Sequence, residues 1–154
     1  MNAMNDDALQ RVSMKDEMSN VLEEARMVIP GVQALFGFQT MAVFNNRFRD
    51  LPASGVTAYL VGLGLLALSI ALLMAPAAYH RIAERGCVSR RMIELASSLI
   101  TAGLVPLMLG LSLDIYVVAL AALGEPRYAL YGAALSLVLF ALLWFAFPLA
   151  MRRN

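Results

Sequence analysis

Long runs without a charged side chain constrain this chain more than any other feature. Val56 to Tyr79 is a stretch of 24 residues containing no Asp, Glu, Lys or Arg. As an α-helix it would be about 36 Å long, against roughly 30 Å of bilayer hydrocarbon. Three further tracts are comparably apolar: Met27 to Phe44, extendable through the uncharged Asn45 and Asn46; Leu95 to Gly124, 30 residues interrupted by Asp114; and Ala129 to Met151. The third, as one helix, would be about 45 Å long, which requires tilt or an end protruding into water. Charged residues make up 15% of the chain, against about 25% in soluble domains, and a soluble monomer of this size could not bury so much apolar surface. The tracts lack period-2 alternation and are too long for barrel strands. The expected fold is therefore all-α, an integral membrane four-helix bundle with spans at about 27–46, 56–79, 95–123 and 129–151, the transmembrane domain covering 30–151.

Orientation follows from the cationic side chains, since cytoplasmic ends keep the excess of Lys and Arg. Arg11, Lys15, Arg26, Arg81, Arg85, Arg90, Arg91, Arg152 and Arg153 fall on one side, and Arg47, Arg49 and Arg127 on the other, nine against three. Both termini are thus expected in the cytoplasm, and the bias opposes a dual-topology dimer. The first twenty residues are polar, so no removable signal peptide is expected. With a formal net charge of +1 and its charges confined to short stretches, the chain offers no nucleic-acid-binding face.

Between Ser13 and Ile29, Met14, Met18, Val21, Leu22, Ala25, Val28 and Ile29 recur with helical period, which predicts an amphipathic helix over 13–29 after a disordered tail at 1–12. Its polar face is mostly acidic, unlike the basic faces of helices that lie on anionic lipid, so it is expected to cover neighbouring helices. Pro30-Gly31 predicts a bend or break before the first span.

Polar groups inside the apolar tracts are the candidates for function. At 100° per residue Gln33, Phe36, Gly37, Thr40, Phe44 and Arg47 share one face of the first span, while Gln39 and Asn46 share another. An amide turned to lipid is unsatisfied, so both faces need partners: other helices, water or an ion path with Phe36 and Phe44 as constrictions. Asp114 is the one ionisable side chain inside a tract, on a stripe with Gly103, Leu107, Gly110, Val117 and Ala121. Carboxylates there are costly and mark functional sites. Near the outer edge Asp114 would pair with Arg47, Arg49 or Arg127; nearer the middle it would carry a proton or attract a cation.

Other chemistry is poorly provided for. One histidine, His80, supplies neither a bis-imidazole haem pair nor a metal cluster, and Cys87, alone, forms no internal disulfide. No serine-histidine-acid set, phosphate-cradling glycine loop or HExxH motif occurs. We therefore expect no enzyme and no cofactor.

The stretches EARMVIPGVQALFGFQTMAVFNNRF, MAPAAYHR, PLMLGLSLDIYVVA and LWFAFP resemble a family of small bacterial four-helix inner-membrane proteins of unknown function, over roughly residues 22 to 149. Some such sequences carry a sodium/proton antiporter label. The resemblance implies the four-helix architecture and a bacterial cytoplasmic membrane. The residues themselves suggest a homo-oligomer that conducts or transports a small ion along Gln33, Gln39, Thr40 and Asp114. The alternatives are an accessory protein of a larger membrane complex and a proton-coupled cation antiporter built on Asp114.

Overall fold

The computed structural model describes residues 2–83 and 90–152; Arg85, Cys87 and Arg153 lie outside them. Among the described residues there is no strand. Helix α1 (Asn2–Ala42) leads through a 3-10 turn (Asn46–Asp50) to α2 (Ala53–Ala83), followed by α3 (Arg90–Leu123) and α4 (Pro126–Ala141), which continues through a π-helical turn (Leu142–Ala146) into α5 (Phe147–Met151). Three helical rods are long and apolar enough to cross a membrane: Ala53–Ile82, Arg90–Leu123 and Pro126–Met151. At 34 residues, α3 is about 51 Å long and exceeds the hydrocarbon layer. In α1 the apolar part ends with the helix at Ala42 and is diluted by Gln33, Gln39 and Thr40, so this helix falls short of that composition.

Two expectations for α1 need correction. The helix begins at Asn2 rather than at Ser13, so residues 2–12 continue it instead of forming a tail. That segment holds Ala3, Met4, Ala8, Leu9, Gln10 and Arg11 and no Gly or Pro, a composition that favours helix. Pro30 does not break the helix either; it lies inside it. A mid-helix proline forfeits one backbone bond, at a cost of about 3 kcal/mol. Here packing offsets it: Val28, Ile29, Val32 and Phe36, on both sides of Pro30, join the core formed with Leu66, Leu73 and Leu107.

The contacts fix how the helices run. Met18 of α1 is buried with Met92, Ile93 and Ala96 of α3, Val32 with Leu107, and Gln39 bonds Asp114, so α1 runs parallel to α3 at a constant offset. Helix α2 runs the other way, Gly103 of α3 lying against Leu72 and Leu73, and Gly110 against Gly62 and Leu66. Ser69, fully buried, donates to the Gly103 carbonyl at 2.9 Å and ties the two helices at mid-length. Helix α4 descends beside α3 after a turn at Gly124, whose φ of 71° suits glycine. The π turn precedes Pro148, which has no N–H to donate to the Trp144 carbonyl; the Phe147 N–H reaches back five residues to Leu142, the rearrangement a proline imposes on the turn before it.

The closest approach of α2 and α3 depends on paired glycines. A Cβ at Gly110 would stand 3.3 Å from the Gly62 carbonyl oxygen and 3.2 Å from Leu66 Cδ2. Gly110→Val is expected to force the helices apart and cost about 1–3 kcal/mol, as overpacking does in close-packed interiors, read as a lower unfolding midpoint of the full-length protein in detergent.

Candidate functional site

Asp114 is the carboxylate to be accounted for. It stands 20 residues after Glu94, about 30 Å along α3, and 11 before Glu125, which lies beyond the end of that helix. The nearest charged position on its own helix is thus far away, and its partner comes from another helix. Gln39 Nε2 of α1 donates to Asp114 Oδ1. The register follows from the parallel packing of α1 on α3, which brings the last turn of α1 level with Asp114. On the third side Gly62 of α2 leaves room, since a Cβ there would lie 3.4 Å from Asp114 Oδ1.

A second bond closes the cluster. The last carbonyls of a helix have no partner within it. In α1 those of Met41 and Ala42 accept from the Phe44 and Asn45 N–H groups at 3.1 and 3.0 Å, and that of Gln39 accepts from the Tyr59 hydroxyl. Tyr59 is 3% exposed, and its ring meets Phe48 of the 3-10 turn edge-to-face, centroids 4.8 Å apart at 71°. Tyr59 therefore caps α1, fixes the backbone that carries Gln39 and anchors the connecting turn. The Gln39 Oε1 atom is buried with no hydrogen-bond partner, so one acceptor beside the carboxylate remains unsatisfied. Such a group is costly to keep.

Of the four residues expected on an ion path, two meet. Gln39 and Asp114 are bonded, whereas Gln33 and Thr40 are exposed on the surface of the chain. The Thr40 hydroxyl donates to the Phe36 carbonyl at 2.9 Å, within its own helix. Phe36 and Phe44 do not pair across a passage: Phe36 packs against the Val32, Leu66, Leu73 and Leu107 core, and Phe44, past the end of α1, is 81% exposed.

The partner that the described residues give Asp114 is the Gln39 amide, and none of their arginines pairs with it. Arg127 pairs with Glu125 at 3.5 Å and lies 6.0 Å from the Tyr128 ring centroid. Arg49 is exposed in the turn, and the side chain of Arg47 lies outside the described residues. Both arginines follow Gln39 by eight residues or more, beyond the end of α1, while Asp114 faces the helix itself.

Sequence reasoning did not put Tyr59 forward as a site residue. The available signal was its place three residues before Gly62 on one face of α2, because a buried tyrosine seeks an acceptor. Among the described residues no three His, Cys, Asp or Glu side chains gather to hold a metal ion.

Helices of this length and apolarity, with a carboxylate held between three of them, mark an all-helical protein of membrane type. The chain belongs to the family of unknown function DUF6328, whose profile matches residues 9–148. No curated protein and no solved structure matches it.

Proposed function

We propose that this is a four-span membrane protein that moves a monovalent cation across the bilayer, with Asp114 as the exchanging group and Gln39 as its partner. One observation carries the reading: a carboxylate inside the helix bundle bonds a neutral amide, and among the described residues no basic side chain pairs with it. Structural carboxylates in such a setting gain most from a permanent cation; one left with an amide keeps its charge available for a passing ion or proton. The orphaned Gln39 Oε1 beside it adds an acceptor.

The fourth span is α1. It follows α3 from Met92 to Asp114 through its own residues 18 to 39, which supports a crossing despite its polar content, because the Gln39 N–H donates to Asp114 and the Gln39 carbonyl at the end of the helix accepts from Tyr59. Its N-terminal part then serves as the amphipathic cover of the inner ends of the helices, with Met18, Val21 and Leu22 on α3. In this arrangement both termini share the cationic, cytoplasmic side of a bacterial inner membrane.

The outward placement of Gln33 supports self-association. An amide facing lipid lacks partners, and a second copy of the same helix would supply them. Gln33→Leu is expected to weaken self-association by about 3- to 20-fold, the equivalent of one interhelical polar contact in a membrane, measured by analytical ultracentrifugation in detergent. An unchanged association constant would leave Gln33 without that role.

The reading is tested by flux in proteoliposomes of purified protein, scanning Na⁺, K⁺, H⁺ and benzyltrimethylammonium beside Asp114→Asn. Cation movement that the variant loses while its oligomeric size and helicity are kept supports the proposal. No cation flux from well-folded protein sinks it and favours an accessory protein.

A further inference from the structure

At the end of the bundle that carries the 3-10 turn, a cleft of about 300 Å³ opens between that turn, α2 and α3. Phe48, Leu51, Tyr59, Val117, Val118 and Ala121 form most of its wall. Its polar side chains are those of Asn45 and Tyr59, and the Tyr59 hydroxyl is already donated to the Gln39 carbonyl. Val117 and Val118 stand three and four residues after Asp114 on α3, one helical turn from the carboxylate. Gln39 is bonded to both Tyr59 and Asp114, so the floor of the cleft lies one side chain away from the negative charge.

From this juxtaposition we infer that the cation is organic and lipophilic, a small ammonium ion whose apolar body fills the cleft while its charge faces Asp114. The inference rests on the cation-moving reading above and names its substrate class.

The chemistry of the walls is the argument. A bare alkali ion must exchange its water for a shell of oxygen atoms, as in filters built from rings of carbonyls. The cleft presents mainly carbon and cannot supply that shell. An alkylated or arylated ammonium ion is weakly hydrated and gains from burying its hydrocarbon. Its charge is also attracted by aromatic faces, and quaternary ammonium ions are bound in aromatic cages elsewhere in proteins. Phe48 and Tyr59, held edge-to-face, provide such faces at the cleft. Its volume suits a molecule of roughly ten to fifteen non-hydrogen atoms, at the small end of ligand pockets. Apolar pockets also bind neutral molecules, so charge selectivity is the property to test.

The probe is benzyltrimethylammonium, and its uncharged carbon counterpart, neopentylbenzene, has the same shape. Binding to full-length protein in detergent is measured by isothermal titration calorimetry and competition. We expect saturable binding of the cation, at least tenfold weaker binding of the neutral counterpart, and at least tenfold weakening by Asp114→Asn. Ala121→Phe, which fills the cleft from α3 without touching the carboxylate, is expected to weaken it similarly; Ala42→Leu replaces it if that variant does not fold.

Equal binding of the neutral counterpart, or binding indifferent to Asp114→Asn, overturns the inference and leaves an apolar pocket. No benzyltrimethylammonium binding by protein that still shows Asp114-dependent Na⁺ or K⁺ flux overturns the substrate class and spares the cation reading. Absence of both binding and flux overturns the two together.

Discussion

Asp114→Asn is expected to lower cation flux in proteoliposomes by about 10²-fold or more while leaving the fold intact. Asparagine has the size of aspartate and can still meet the Gln39 amide, so the α1–α3 contact survives. What disappears is the charge. Truncating one partner of a buried, hydrogen-bonded charge pair typically costs 2–5 kcal/mol, about 30- to 4,000-fold in an equilibrium constant, and a cation crossing the bundle would lose a partner of that kind. Asp50, exposed in the 3-10 turn, provides the control: Asp50→Asn removes a negative charge at the same end of the bundle and is expected to leave flux within about twofold, since exposed charges are screened by salt. Equal losses in the two variants would assign the effect to surface potential and not to the site. Retained flux in Asp114→Asn would remove the carboxylate from the path altogether.

Much of the architecture could be read from the chain because the bilayer imposes a length on apolar helices. The tracts at 56–79, 95–123 and 129–151 each lie within a helix long and apolar enough to span. The two glycines of the Asp114 stripe also face protein as their size suggests, Gly103 and Gly110 meeting Leu73, Gly62 and Leu66, while Ala121 at its far end is exposed. The course of α1 was not legible, since whether Pro30 interrupts a helix depends on the packing of residues on both sides of it, and that packing is supplied by α2 and α3. Sequence periodicity put Gln39 and Asp114 forward separately, as polar groups in need of partners. It could not pair them, because their separation of 75 residues is bridged by the register between α1 and α3. The same lack of register left three arginines as rival partners for Asp114. Tyr59 was hidden for a different reason: an aromatic residue near a span end has an adequate interfacial role, and its hydroxyl acquires another once the end of α1 lies against it.

Replacing both Gln39 and Asp114 by leucine is expected to give a protein about as stable as the wild type, although each single replacement is destabilising. Gln39→Leu leaves the carboxylate without its amide donor, and Asp114→Leu leaves the amide without its acceptor; an orphaned polar group in such a place costs about 1–3 kcal/mol. With both removed, neither desolvated polar group remains and two aliphatic side chains can pack in their place, which is often neutral or stabilising relative to a buried polar pair. The coupling free energy from the four proteins is then about 2–6 kcal/mol, the sum of the two single losses. Additive losses would show that the Gln39–Asp114 bond contributes nothing to folding. The double variant also separates the two reasons a chain has for keeping a carboxylate in this position. If Asp114 served only to join α1 to α3, leucine at both positions would serve as well and every property of the protein would persist. On the reading proposed here, the doubly substituted protein folds, associates and unfolds at the wild-type midpoint, yet moves no cation, because the charge that stability can do without is the one that transport requires.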